Sequence, residues 1–138
     1  MRAGNIIRRN CWFIILFFFT ISKGQTIDEN FIRGNLRYDM GDYSSAITYY
    51  TKVIEINPYY IGAYYNRGVA RYNTCDHAGA IEDFTRVIQL NPKDIQAFIL
   101  RGFSKYYSGD KKGACADWEI AGDTNCYDAC ELIHDYCK

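Results

Sequence analysis

The residues best suited to chemistry lie close together near the end of the chain. Cys115, Cys126, Cys130 and Cys137 fall within one short segment, and His134 lies among them. Thiolates and an imidazole can bind zinc, a pair of thiols can carry out redox chemistry, and two cysteines can form a structural disulfide. The cellular compartment of the protein and the helices that carry these residues decide between a zinc site, a redox centre and a structural disulfide.

The N-terminal segment has the parts of a secretory signal peptide. Arginines precede an apolar run at 11–22, and the exit Ser22-Lys23-Gly24 has a small residue at each end. The run is too short to cross the ~30 Å of bilayer hydrocarbon, which needs roughly 20 residues. We therefore expect a cleaved signal over 1–24, with an uncleaved anchor as the alternative. The mature domain over 25–138 is expected in the periplasm or outside the cell, free of the membrane.

The charge balance argues against nucleic-acid binding. The whole chain has 16 basic and 16 acidic residues. Cleavage after Gly24 would keep every acidic residue and 12 of the basic ones, so the formal charge would become −4. Nucleic-acid binding needs a basic face. Export would also permit disulfides.

The middle of the chain is a repeat. Pro58 and Pro92 are 34 residues apart, and the segments 27–58, 61–92 and 95–122 align at that period. Several columns agree: Arg33-Gly34, Arg67-Gly68 and Arg101-Gly102; Ala46, Ala80 and Ala114; Tyr50, Phe84 and Trp118. Self-similarity at this period is typical of stacked helix pairs.

The matched residue types explain the helix pair. The recurring glycine allows close approach of two helices, and the aromatic side chain fills the remaining space. Asp42, Asp76 and Asp110 are placed as N-caps, and the prolines end the second helix because they lack an N–H. Helices are therefore predicted at roughly 28–40, 43–56, 61–73, 77–90, 95–108 and 111–122.

These columns resemble the tetratricopeptide repeat (TPR) family. The resemblance implies an all-α fold, an α-solenoid of three helix pairs at about 27–60, 61–94 and 95–122, with a C-terminal capping helix at about 126–137. The Arg-Gly variant and the segment "GACADWEIAG" with its following cysteines are similar to exported bacterial members of the Bacteroidota. The family implies a scaffold, not an enzyme, that binds a protein or peptide on its concave face.

The resemblance also implies which residues line that face. We expect a peptide-binding groove formed by Phe31, Asn35, Tyr38, Tyr65, Tyr72, Ile99, Phe103, Tyr106 and Tyr107. Tyrosine is enriched at interfaces, and the chain has 13 of them. An extended or helical peptide could lie across these rings, or the rings could only pack against neighbouring repeats.

Some family members grip a C-terminal carboxylate with lysine, arginine and asparagine. Here Asn35 and Asn66 match the asparagine positions, but Phe31, Gln96 and Leu100 occupy the basic ones. Binding of chaperone tails in that manner is therefore not expected.

The sequence contains no familiar catalytic motif. His77 lies beside a predicted helix cap and is expected on the solvated surface. Asp83 and Asp117 recur one period apart and are expected to form ion pairs with the arginine column. We predict no enzymatic activity and no cofactor.

The final cysteines are best explained as part of a lid on the last repeat, which otherwise leaves an apolar face uncovered. Cys126 and Cys130 fall on the apolar stripe of the predicted capping helix, a single helix that cannot supply four tetrahedral zinc ligands. If this helix runs back antiparallel, Cys115 lies level with Cys137. A disulfide between them would contribute ~3 kcal/mol. Cys75 is a candidate free thiol.

Two classes of function remain open from the sequence. The first is a protein- or peptide-binding scaffold or assembly adaptor. The second is a structural subunit of a fixed envelope oligomer or complex, and a homo-oligomer is compatible with such a short stack. Redox or metal binding by the C-terminal cysteines is a remote third.

Overall fold

The computed structural model describes residues 27–123 and 127–137, so the predicted signal over 1–24 lies outside the described residues. The described residues are helical, with short turns between helices. Residues 27–39 form α1. The others are α2 (Tyr43–Ile56), α3 (Ile61–Asn73), α4 (His77–Leu90), α5 (Ile95–Tyr107), α6 (Lys111–Gly122) and α7 (Tyr127–Tyr136). Consecutive helices from α2 to α7 pack against each other. The predicted all-α solenoid of helix pairs with a capping helix is confirmed.

The second helix of each pair begins at the predicted aspartate. The side chains of Asp42, Asp76 and Asp110 accept hydrogen bonds from the backbone N–H three residues later. Asp94 caps α5 in the same way, accepting from the N–H of Ala97 at 3.1 Å, which the sequence reasoning missed. Each cap satisfies one of the backbone donors that a helix start leaves free.

The turn inside each helix pair needs a left-handed residue. Gly41 has φ +76° and Gly109 has φ +95°, and Cys75 stands at the same place in the second repeat with φ +61°. Glycine adopts this conformation without a Cβ clash, whereas cysteine is strained there. The turn of the second repeat is therefore the strained one, and the thiol of Cys75 in this turn is exposed and free.

The glycine column lets the two helices of a pair touch. A Cβ atom at Gly102 would lie 2.3 Å from Nε1 of Trp118, and one at Gly34 would lie 2.6 Å from the Tyr50 ring. At Gly68 the nearest atom of the Phe84 ring would be 3.0 Å away. The large ring of each second helix thus occupies the space that a side chain on the first helix would need.

Replacing Gly102 with alanine is expected to destabilise the fold by about 1–3 kcal/mol, because the Trp118 ring must move. That ring also donates a hydrogen bond to the Ile99 carbonyl oxygen at 3.2 Å. Gly68→Ala is the matched control: its Cβ has more room, and alanine gains helix propensity of up to ~1 kcal/mol. Urea unfolding midpoints compare the two. Equal midpoints for both variants would contradict the steric explanation.

Buried ion pairs join the helices of the second and third repeats, as predicted. Arg67 donates two hydrogen bonds to Asp83, at 2.9 and 2.7 Å, and reaches Thr51 of the preceding repeat at 3.0 Å. Arg101 contacts Asp117 in the same manner and reaches Thr85 of the preceding repeat at 3.1 Å. Each arginine therefore ties three helices together.

The first repeat lacks this pair because Tyr49 stands where the other repeats have aspartate. Arg33 pairs instead with Glu29, one turn earlier on the same helix, and both side chains are more than half exposed. Such an exposed pair contributes only about 0.3–0.5 kcal/mol. The first repeat is held mainly by apolar packing around Tyr50.

The capping helix covers the end of the stack. Leu132 packs against the cluster of Phe98, Ile99 and Ala121. The ring of Tyr136 contacts aromatic rings of α5 and α6, with centroids 5.1 and 5.8 Å apart. These contacts bury the apolar face that the third repeat would otherwise expose.

Cys115 of α6 and Cys137 after α7 lie at disulfide distance. Their Sγ atoms are 2.09 Å apart and their Cα atoms 5.7 Å apart. This is the pairing that the sequence predicted, and it joins the start of α6 to the end of the capping helix. Cys126 and the side chain of Cys130 lie outside the described residues, so their place on the inner face stays a prediction. None of the described helices combines the length and apolarity required to cross a membrane.

Candidate functional site

A pocket of about 370 Å³ opens between the first helices of the first two repeats. Its lining comes from three helices: Asn35, Tyr38 and Asp39 of α1, Tyr50 of α2, and Tyr65, Asn66 and Val69 of α3. Three of these residues, Asn35, Tyr38 and Tyr65, belong to the predicted groove. The pocket combines aromatic rings with amide and carboxylate groups.

The floor of the pocket is a hydrogen-bonded triad. Oδ1 of Asn35 accepts from the hydroxyl of Tyr50 at 2.8 Å and from Nδ2 of Asn66 at 3.0 Å. Since Asn35 and Asn66 lie on α1 and α3, this contact bridges the first two repeats. It holds both amides in a fixed orientation.

The tyrosine rings of the pocket are supported from behind. Tyr38 contacts the ring of Tyr43 at 5.2 Å, and its hydroxyl accepts a hydrogen bond from Asn73 at 3.0 Å. Tyr65 makes an edge contact with Phe84 at 6.0 Å. Rings held in this way lose little further freedom when a ligand binds.

The environment of the pocket opposes negative charge on its tyrosines. Burial, with Asp39 among the smaller causes, raises the pKa of Tyr50 to about 12. Burial and then the carboxylate of Asp94 raise the pKa of Tyr65. Both hydroxyls are therefore neutral donors at physiological pH.

Two sequence profiles match the part of the chain that forms this site. A TPR repeat profile matches residues 34–74, and a tetratricopeptide repeat profile matches residues 61–94. The chain contains tetratricopeptide repeats. No curated protein sequence matches it significantly.

Solved TPR domains share its fold. The first TPR domain of Spaghetti (RPAP3), bound to the HSP90 peptide SRMEEVD, is 24% identical with a TM-score of 0.76, covering 82% of this chain and 91% of that one. The second TPR domain of human RPAP3, in complex with the HSP70 peptide SGPTIEEVD, is 24% identical with a TM-score of 0.77, covering 84% and 98%. The Sgt2 TPR domain from Aspergillus fumigatus is 28% identical with a TM-score of 0.67, covering 75% and 70%.

A second aromatic cluster lies between the second and third TPR repeats. Tyr107 stacks on His77 at 5.6 Å and contacts the edge of Tyr72 at 6.0 Å. Tyr106 extends the cluster towards the capping helix. The expectation of a solvated His77 was wrong: its ring is half-buried between tyrosines, and its Nδ1 atom is buried with no hydrogen-bond partner among the described residues.

The rest of the predicted groove is divided between surface and core. Ile99 is only 6% exposed and packs in the cluster beneath the capping helix, so its assignment as a peptide contact is corrected. Phe103 is half-buried and makes an edge contact with Trp118 at 5.3 Å. Phe31 packs between Tyr50 and Tyr60. These apolar side chains therefore pack against the capping helix or against aromatic rings of the second helices.

Sequence reasoning assigned Tyr50 to the core and missed its role in the pocket. Its ring is buried, but its hydroxyl reaches Asn35. The sequence did contain a signal for this role: at the repeat position shared with Phe84 and Trp118, Tyr50 is the residue that carries a hydroxyl. Among the described residues, no group of three His, Cys, Asp or Glu side chains is placed to hold a metal ion. The polar groups of the pocket are suited to hydrogen bonding a ligand.

Proposed function

We propose that this protein is a non-catalytic scaffold that binds a protein or peptide on the tyrosine-rich face of α1 and α3. The pocket between these helices carries the proposal, because it combines fixed rings with amides that can bond a peptide. The RPAP3 domains of similar fold were solved with bound peptides, which supports a peptide ligand. Tyrosine is enriched among the few residues that carry most of the binding energy at protein interfaces.

The ligand is expected to differ from the acidic tails bound by those domains. The described residues that line the pocket include no lysine or arginine, and they include Asp39. A carboxylate placed there would find no cationic partner and would be repelled by Asp39. The proposed partner therefore presents neutral or basic groups to this pocket.

We also propose that the protein is exported, to the periplasm or beyond, as an adaptor of the bacterial envelope. Two observations support this location. The chain begins with a signal-like segment, and Cys115 and Cys137 lie at disulfide distance. Disulfides persist in oxidising compartments.

A photo-crosslinking amino acid at Tyr65 tests the proposed face. We expect cross-links to a partner from the native envelope, and we expect Tyr65→Ala to weaken binding of that purified partner by about tenfold or more. Tyr59 is the matched control: it is exposed in the turn before α3 and contacts Arg86 of α4, outside the pocket. Circular dichroism confirms that each variant is folded. Equal affinity of the folded Tyr65→Ala and Tyr59→Ala proteins would refute the proposed face.

A structural subunit of a fixed oligomer is the second candidate. One observation favours it: Ile32 and Leu36 of α1 and Met40 just after it form an apolar stripe, and each of the three is more than half exposed. Light scattering on the purified protein distinguishes the two candidates. A stable oligomer that dissociates on Leu36→Glu would favour the subunit, and a monomer would contradict it.

A further inference from the structure

Several hydrogen-bond acceptors of the pocket between α1 and α3 have no partner among the described residues. Asp39 makes no ion pair with any described residue, and neither the Tyr65 hydroxyl nor Oδ1 of Asn66 has a described hydrogen-bond donor. Asn35 already accepts two hydrogen bonds through one oxygen. A ligand group rich in N–H donors would match these acceptors.

The charge of the pocket has one sign. Asp39 is the charged residue of the described lining, and the carboxylate of Asp94, outside that lining, is among the causes that raise the pKa of Tyr65. Asp94 has its carboxylate at the start of α5, where it caps the helix. The pocket therefore favours a cation.

The rings add a second attraction for a cation. The half-buried rings of Tyr38 and Tyr65 line the pocket, whereas the ring of Tyr50 is buried and contributes only its hydroxyl. A cation over the face of an aromatic ring is attracted by the ring quadrupole. Because the rings of Tyr38 and Tyr65 are held by neighbouring side chains, the site is formed before the ligand arrives.

Size and donor geometry select among cations. A volume of about 370 Å³ is near the lower end for ligand pockets and fits one side chain rather than a whole peptide. A guanidinium is planar, is more weakly hydrated than an ammonium, stacks on aromatic rings and carries five N–H donors. It can thus reach the carboxylate and the neutral acceptors together.

We propose that this pocket holds the guanidinium of an arginine side chain of the bound partner. The inference rests on the proposed peptide-binding function and specifies its ligand. The Asp39 carboxylate pairs with the guanidinium, Asn66 and Tyr65 accept further hydrogen bonds, and the rings of Tyr38 and Tyr65 flank it.

Nuclear magnetic resonance on the ¹⁵N-labelled protein tests the pocket directly. The probe is Nα-acetyl-arginine methylamide, and its neutral isostere Nα-acetyl-citrulline methylamide is the control ligand. We expect saturable shifts at the amides of Asn35, Asp39 and Asn66 with the arginine probe, and at least about tenfold weaker binding of citrulline. Asp39→Asn should weaken the arginine probe about fivefold or more. Asp28→Asn makes the same charge change three turns earlier on α1, outside the pocket lining, and should not.

The possible results separate this inference from the proposed function. Equal binding of arginine and citrulline would overturn the cation site, as would equal effects of Asp39→Asn and Asp28→Asn. Equal binding of Nα-acetyl-lysine methylamide would overturn the selection of guanidinium. Absence of arginine binding while a natural partner still needs Tyr65 would refute the arginine pocket alone. Failure of both the probe and the Tyr65 test would refute the proposed face as well.

Discussion

Replacing Asp83 with alanine is expected to destabilise the fold by about 3–5 kcal/mol. Asp83 is 2% exposed and bonds both Arg67 and Arg71, at 2.7 and 3.0 Å. Its removal leaves the Arg67 guanidinium, with a side chain only 12% exposed, without a counter-charge. The cost arises from that unpaired buried charge more than from the lost attraction. Urea denaturation followed by circular dichroism measures the change in the free energy of unfolding.

Glu82 supplies the control for this prediction. It is the neighbouring acidic residue on α4 and is exposed, so Glu82→Ala should change stability by no more than about 0.5 kcal/mol. Asp117→Ala should behave like Asp83→Ala, because Asp117 is as deeply buried between Arg101 and Lys105. A loss below about 1 kcal/mol at both aspartates would contradict the role assigned to the ion pairs.

Loss of the link between Cys115 and Cys137 is expected to lower stability by about 3 kcal/mol, with the first effect in the capping helix. The two residues are separated by 22 positions, and the bond restricts the unfolded chain over that loop. The described contacts of α7 are otherwise made by a few side chains, chiefly Leu132 and Tyr136. Hydrogen exchange on the Cys115→Ser/Cys137→Ser protein should show α7 amides exchanging first, and urea denaturation should show the lower midpoint.

The reductant dithiothreitol provides an independent comparison. It should lower the midpoint of the native protein to that of the double variant and leave the variant unchanged. Cys75→Ser is the control, because Cys75 is free and should not affect α7. Native and variant proteins with the same midpoint under oxidising conditions would show that this pairing does not stabilise the fold.

The helices could be predicted closely because their signals are local. From α2 to α6, the observed ends agree with the predicted ones to within one residue. An aspartate cap fixes each second-helix start, and an asparagine before proline fixes two of the ends, since these residues act on the adjacent backbone. The ion pairs at Asp83 and Asp117 could also be predicted, because the repeat placed each opposite an arginine.

The pocket could be predicted only in part because its lining depends on distant contacts. Asn35 and Asn66 were identified by position, but their hydrogen bond spans 31 residues and depends on how α1 meets α3. Ile99 and Tyr38 both fall on the same predicted face. Ile99 is buried in the cluster against which the capping helix packs, whereas Tyr38, in the first repeat, lines the pocket.

The sequence by itself determined the repeat, the helix ends and the glycine–aromatic contacts, because each follows from residues at a fixed spacing on one helix pair. The tertiary structure decided which side chains on the shared face became core and which stayed available to a ligand. It also brought the Tyr50 hydroxyl to the asparagine pair, where a ring expected only to fill space contributes a polar group. The physical reason is that burial is set by neighbours from other repeats, and their packing is not a property of any single segment.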